Sequence, residues 1–436
     1  MTSAHLSRDF DAASAGAEMY RLASELYPIC RSITGDGVRQ TLRLLQRHLP
    51  LELREVPSGT PAFDWEVPQE WNIREAWIKD MRGERIVDLQ KHNLHVLNYS
   101  VPIRRKLSLA ELRPHLFTLP EHPDWIPYRT SYYKENWGFC LSHRQLQRLP
   151  EGEYEVCIDS TLAPGHLTYG ECLLRGESEE EVLFSCHCCH PSLANDNCSG
   201  LAVATALARR LNEIPRRYSY RFLFIPGTIG SITWLAQNRE AAARIRHGLV
   251  LTCLGDIGRS TYKKTRQGDA EIDRAVALVL KHSGSDSAML DFTPYGYDER
   301  QYCSPGFNLP VGCFMRTPNA QFSEYHTSAD NLDFIHPDSL ADSLAKLLFV
   351  VSVLEDNRVY VNQNPFCEPR LGKRGLYDAI GGNKESGFNE MALLWTLNLS
   401  DGKHDLLAIA ERSGLPFETI QQATEALAKA DLLRIQ

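Results

Sequence analysis

Three side chains able to bind a metal stand close together in the stretch EVLFSCHCCHPSLANDNCSGLAVATALARRL, residues 181–211: His187, His190 and Asp196. Imidazole and carboxylate donors suit Zn²⁺ acting as a Lewis acid with one position left open. Cys186, Cys188 and Cys189 offer an alternative donor set. Thiolate-rich shells are usually closed and structural, Cys-X-Cys-Cys is not a finger spacing, and no partner cysteine pair follows nearby. The His/Asp set is therefore favoured over the thiols. A second alternative, in which the histidines only satisfy core hydrogen bonds, has to overlook how many polar groups crowd one strand end. Farther along, Asp256 closes an apolar run within Leu-Gly-Asp-Ile-Gly. That is the strand end at which open α/β sheets gather their sites, although a carboxylate there can also cap a turn. His326, in Glu324-Tyr325-His326-Thr327-Ser328-Ala329-Asp330, is a further candidate ligand, with Glu324 or Asp330 to orient it. Glu299, in the polar run from Tyr297 to Tyr302, and Glu324 are the candidate general bases. Salt bridges to Arg300 or Arg316 are the plain alternative for both.

Such residues need rigid elements to hold them. Apolar runs at 182–185, 220–225, 248–254 and 309–315 read as strands. Helical stretches at 199–212, 230–246, 269–284 and 337–355 alternate with them, which predicts a mostly parallel sheet covered by helices on both faces. Ahead of this, residues 14–50 read as two helices broken at Gly35 and Gly37. Between them the texture changes: five of the seven tryptophans fall from Trp65 to Trp137, among prolines and short alternating runs. This predicts a compact β-rich unit whose aromatics mostly pack a core, some of them shaping a cleft rim.

The tail reads helix, helix, the turn Ser413-Gly414-Leu415-Pro416, helix and short strand, a winged-helix outline. DNA binding is the usual role of that outline. Residues 390–436 nevertheless carry seven acidic side chains against four Lys or Arg, and the third helix sets Glu418 and Glu425 against Lys429. A groove-reading helix wants a positive field, so packing or dimerisation is the expected role.

Composition narrows the partners. The net charge is −8, and no basic run exceeds Arg104-Arg105-Lys106, which argues against nucleic-acid or anionic-membrane binding. No apolar run approaches the ~20 residues that span a bilayer. The opening MTSAHLSRDF lacks the apolar core of a secretory leader, so the twelve cysteines are expected to be reduced thiols in the cytoplasm.

The pieces that carry a resemblance are Val182–His187, Asp196-Asn197-Cys198-Ser199-Gly200, Asp256 and His326. In type and order they resemble the zinc aminopeptidases of the M28 family. The whole chain is similar to a bacterial group of aminopeptidase-like proteins with an inserted small β domain and a C-terminal winged helix. Arg31-Ser32-Ile33-Thr34-Gly35, Pro68-Gln69-Glu70-Trp71-Asn72, Ile126-Pro127-Tyr128, Trp137-Gly138-Phe139-Cys140, Cys189-His190-Pro191-Ser192 and Glu324–Ser328 carry that likeness. Such proteins often accompany surface-polysaccharide or natural-product genes.

The resemblance implies a phosphorylase/hydrolase-like α/β domain from residues 1–63 and 163–370, an inserted β-rich domain at 64–162 and a winged-helix-like domain at 380–436. It implies one or two zinc ions, with His187 on one metal, Asp196 bridging, and Asp256 and His326 serving one ion each. Two positions depart from the pattern. The supporting Asp of a His-x-Asp signature is replaced in His187-Cys188-Cys189, leaving His190 to take part. A catalytic Glu is expected where Pro226-Gly227-Thr228 has glycine. The expected activity is zinc-dependent hydrolysis of amide bonds, impaired at Gly227, on a small peptide or an aminoacyl or amide-containing metabolite. The alternative is an inactive or repurposed relative that binds a small molecule or a partner in a biosynthetic pathway. A homo-oligomer formed through the C-terminal domain is a further expectation.

Overall fold

The computed structural model describes residues 10–376 and 389–436. The expected boundaries at residues 1 and 380 lie outside that range. The described residues divide into two compact units, 11–268 with 288–344, and Phe10 with 269–287, 345–376 and 389–436.

The first unit is organised by an eight-stranded mixed sheet among the described residues. Its strands are β1 (Glu52–Pro57), β2 (His166–Leu174), β3 (Glu181–His187), β4 (Ser219–Ile225), β5 (Ile245–Leu251), β6 (Ser260–Lys263), β7 (Ser287–Leu290) and β8 (Val311–Met315), in the order β1-β2-β4-β3-β5-β8-β6-β7. The centre is parallel: β3 pairs with β4 and β5, and β5 with β8. The flanking pairs β1/β2, β2/β4 and β6/β8 are antiparallel. Every residue of β3, β4 and β8 is buried, as expected of strands covered on both faces. The expected parallel strands are therefore present, although 309–315 begins at Val311 and 248–254 begins at Ile245 and stops at Leu251. The expected helix 230–246 is two, Ile229–Gln237 and Arg239–Arg244, parted at Asn238.

Two amphipathic helices precede the sheet, Ala12–Leu26 burying Met19, Leu22, Ala23 and Leu26, and Asp36–Gln46 burying Val38, Leu42 and Leu45. An antiparallel four-stranded sheet of Arg85–Asp88, Glu70–Lys79, Glu153–Ala163 and Ile103–Ser108, in that order, lies between β1 and β2 in sequence. Trp71 and Trp77 are buried there, while Trp65 is exposed.

The second unit holds helices Glu390–Leu399, Leu406–Ser413 and Phe417–Lys429 with a small antiparallel sheet of Asp401–Asp405, Val359–Asn362 and Leu433–Ile435. This is a winged helix. Helix Glu271–His282 belongs to the same unit: Arg274 pairs with Glu411 at 2.7 Å and Asp405 at 3.3 Å. Among the described residues, no helix is long and apolar enough to cross a membrane.

Candidate metal centre

Strand β3 delivers His187 at its last position. The chain then turns through Cys188–Leu193, tied to the neighbouring strand by the Cys188 N–H donating to the Ile225 carbonyl at 2.9 Å. His190 and Asp196 follow, and helix Gly200–Asn212 opens after an irregular turn at 194–199 containing a cis Asp196–Asn197 peptide. Asn195 and Asn197 shape that turn. Asn195 Oδ1 accepts from Gly255 N, Asn197 Oδ1 accepts from Cys253 N, and the Asn197 amide donates to the Leu251 carbonyl. The loop that follows β3 is thereby stitched to the loop that follows β5.

Asp196 is the hub. Its Oδ1 lies 2.8 Å from His187 Nε2, and its Oδ2 lies 3.1 Å from His190 Nδ1 and 3.0 Å from His326 Nε2. His187, His190 and Asp196 offer donor atoms that all fall within 4.8 Å of one another. Burial alone would raise the Asp196 carboxyl, but the His190 and His187 imidazoles aimed at it outweigh burial and hold it well below the usual carboxylate range. Burial lowers His187 to about 4, against the pull of Asp196. An ionised Asp196 beside a neutral His187 is the protonation pattern that divalent zinc requires.

The third histidine comes from a loop of its own. His326 has φ +56°, a left-handed conformation that costs a non-glycine residue of order 1–3 kcal/mol. The segment 126–128 holds it there. Tyr128 N donates to the His326 carbonyl at 2.8 Å, Ser328 N donates to the Ile126 carbonyl at 2.8 Å, and the Ser328 hydroxyl accepts from Ile126 N at 2.9 Å. The Tyr128 ring meets His190 and His326 edge-on, with centroids 5.1 and 5.2 Å away, and Tyr325 stacks on His326 at 3.9 Å. Arg31 braces the opposite side: fully buried, it donates to the carbonyls of His190 at 2.9 Å and Leu26 at 2.6 Å.

The other expected site residues stand elsewhere. Both Asp256 oxygens are taken up by Asn195 Nδ2 (2.9 Å), Gly258 N (2.7 Å) and Thr317 Oγ1 (2.6 Å), so it braces loops outside the histidine–aspartate contacts. Glu299, expected as a base, is buried in an ion pair with Lys263 and accepts from Tyr297 N at 3.1 and 3.0 Å. Glu324, the other expected base, accepts from the Ser323 hydroxyl at 3.0 Å. Asp330, expected to orient His326, instead accepts from the backbone N–H groups of Asn195 (2.6 Å) and Asp196 (3.0 Å). It fixes the hub, and burial raises its carboxyl to about 8.

Sequence reasoning gave no role to Tyr297 or Asp298, although both lie in the polar run that contains Glu299. The Tyr297 ring packs on His187 with centroids 4.0 Å apart, and its hydroxyl lies 3.0 Å from His190 Nε2. Asp298 is fully buried and accepts from the Ser231 hydroxyl at 2.7 Å.

A model of the domain of unknown function DUF4910 matches residues 20–357. The chain belongs to that family. A winged helix-turn-helix model matches residues 358–435. Among relatives of the DUF4910 chain is a Clostridium acetobutylicum protein named "Putative polysaccharide biosynthesis protein with aminopeptidase-like domain", 53% identical over 420 residues and covered to 96% on both sides. A crystal structure named "putative peptidase" from Clostridium acetobutylicum is 50% identical, with a TM-score of 0.94 over 98% of each chain. BSAP, a zinc aminopeptidase from Bacillus subtilis, matches 78% of this chain and 94% of its own at a TM-score of 0.57 and 14% identity. That last likeness is one of fold: an aminopeptidase-like α/β domain, followed here by a winged helix.

Proposed function

We propose that the chain holds zinc in an aminopeptidase-like site and binds the amino or amide end of a small peptide or aminoacyl metabolite, without hydrolysing it at the rates of a peptidase. The donor set fits the metal: three imidazoles and one carboxylate, the Asp196 oxygens lying 2.8–3.1 Å from a nitrogen of each ring. His187, His190, Asp196 and His326 would hold it. Bound there, zinc supplies a Lewis acid that polarises a carbonyl. Asp330 and Asn197 keep the hub and the strand end in place, and segment 126–128 keeps His326 facing them.

One observation carries the non-hydrolytic part. The place beside the cluster that a side chain at 227 would enter is filled by the Tyr297 ring, 2.0 Å from where a Cβ would stand. With Glu299 bound to Lys263 and Glu324 accepting from the Ser323 hydroxyl, neither expected base is placed to take a proton there. A general base contributes about 10²–10⁴-fold. The polysaccharide-biosynthesis name of the 53% identical relative agrees with a biosynthetic setting. Twelve free cysteines suit a reducing compartment, the cytoplasm. We place the homo-oligomer contact, if the protein self-associates, in the winged helix.

Metal analysis and a panel of aminoacyl anilides test this. We expect bound zinc and no turnover, with hydrolysis gained, at saturating zinc, in a Gly227→Glu, Tyr297→Ala double variant and not in Gly227→Glu alone, where the ring blocks the new side chain. Wild-type turnover at about 1–10³ s⁻¹, the usual enzyme range, overturns it. One observation favours a retained hydrolase: among the described residues Asp298 Oδ2 has no hydrogen-bond partner, and burial raises the carboxyl to about 7, a value that suits a general base. Turnover that disappears in Asp298→Asn with zinc still bound selects that reading.

A further inference from the structure

Residues 227 and 297 are distant in sequence and in contact in space. A Cβ on Gly227 would lie 2.0 Å from Tyr297 Cε1, 2.7 Å from Cζ and 2.9 Å from Cδ1. No side chain fits at 227 while the ring stays where it is. The same ring lies against His187, with centroids 4.0 Å apart and planes inclined by 44°. Its hydroxyl lies 3.0 Å from His190 Nε2 and donates to the Gly227 carbonyl at 3.5 Å, with Cys189 Sγ 3.7 Å away. The other nitrogen of His190, Nδ1, faces Asp196 Oδ2 at 3.1 Å. One tyrosine therefore touches two of the histidines, one through its face and one through its hydroxyl.

An imidazole that gives one nitrogen to a metal is fixed by the partner of its other nitrogen. If His190 uses Nδ1, then Nε2 carries the hydrogen and needs an acceptor. The Tyr297 oxygen stands where it can accept that hydrogen and pass its own towards the Gly227 carbonyl. We infer that Tyr297 is a positioning residue of the metal centre, and that residue 227 is glycine because the ring occupies the adjoining volume. This rests on the zinc reading above. It turns Gly227 from a missing side chain into one half of a fitted pair.

The test uses the full-length chain, with zinc affinity measured by competition against a chromogenic chelator, the absorption spectrum of the cobalt(II) form, and the thermal midpoint of the metal-free protein. Tyr297→Phe keeps the ring and removes only the hydroxyl. It is expected to weaken zinc by about 10–100-fold, the usual effect of losing such a partner, to alter the cobalt spectrum, and to leave the metal-free midpoint where it was. Gly227→Ala, which pushes the ring away, is expected to weaken zinc at least as much. Adding Tyr297→Ala to it should restore the metal-free midpoint without restoring affinity. Wild-type zinc affinity and cobalt spectrum in Tyr297→Phe overturn the inference and leave the zinc reading standing. A fall in the metal-free midpoint that accounts for the whole loss of affinity also overturns it, since the role is then structural. A wild-type chain that binds no zinc overturns the reading beneath it.

Discussion

Two carboxylates separated by a single peptide bond have opposite fates, and each fate can be tested. Asp298 is buried, bound through one oxygen to Ser231, and its carboxyl is raised to about 7, first by burial and then by Glu299. Its folded pKa exceeds its unfolded value near ~4, so the folded state holds the proton more tightly. The stability this contributes is complete below the unfolded value and is lost as pH rises towards 7, with a slope of about 1.4 kcal/mol per pH unit. Asp298→Asn removes the slope. Urea denaturation at pH 5, 6 and 7 should show the variant gaining on wild type at each step, and a pH-independent difference would refute the assignment. Glu299 instead sits in a buried pair with Lys263. Removing one partner of such a pair costs about 3–5 kcal/mol, because the other is left charged and buried. Glu299→Gln should therefore lower stability by that amount and leave zinc affinity unchanged. A variant of wild-type stability with altered catalysis or metal binding would return Glu299 to the site.

At the scale of elements, the turn between β3 and helix Gly200–Asn212 sets the site, and its packing leaves little freedom. A Cβ on Gly200 would lie 2.3 Å from Asn197 Oδ1. Helix propensity alone favours alanine over glycine by about 1 kcal/mol. The close approach opposes this, because Asn197 also accepts from Cys253 N and donates to the Leu251 carbonyl, so its displacement breaks both links. At about 1 kcal/mol for each hydrogen bond, with more for any buried group left unpaired, packing outweighs propensity. Gly200→Ala should lower the thermal midpoint and weaken zinc together; a raised midpoint would show that propensity wins. This turn was legible in the sequence because its parts are local: an apolar run, two histidines, an aspartate and a run of small residues share one short segment. His326 was legible through its order in the chain, after the two histidines, Asp196 and the strand-end Asp256, an order the family resemblance shares. The Tyr297–Gly227 contact was not, because it depends on the loop after β7 folding back over β4, which no periodicity reports. The partner of Glu299 was hidden for the same reason: Lys263 lies on β6, whose Ser-Thr-Tyr-Lys is too short and polar to read as a strand.

At the scale of the molecule, the winged helix poses the clearest conflict between architecture and electrostatics. Its three helices and three-stranded sheet match the winged helix-turn-helix model over residues 358–435. Duplex DNA presents a dense row of phosphates, and non-specific affinity comes mainly from lysines and arginines that release condensed counterions. Residues 358–435 provide nine such side chains against ten carboxylates, and the stretch 390–436 that holds the three helices provides four against seven. One of the four, Arg434, lies on the strand Leu433–Ile435, and the helix in the recognition position, Phe417–Lys429, carries Glu418 in its first turn and Lys429 in its last. The first turn of a recognition helix is the part that meets base edges, so a carboxylate there faces the wrong partner. Arg274, which adds a positive charge to this unit, is already paired with Asp405 and Glu411. We therefore expect the full-length chain to show no binding to a 30-base-pair duplex of about random sequence at low salt, where electrostatic binding is strongest and non-specific Kd values of about 10⁻⁴–10⁻⁶ M at physiological salt would tighten further. Fluorescence anisotropy at increasing salt decides it. A bound state whose log Kd rises linearly with log salt would show that the fold has kept its nucleic-acid role despite the acidic surface. A flat trace leaves the winged helix as a packing or self-association module.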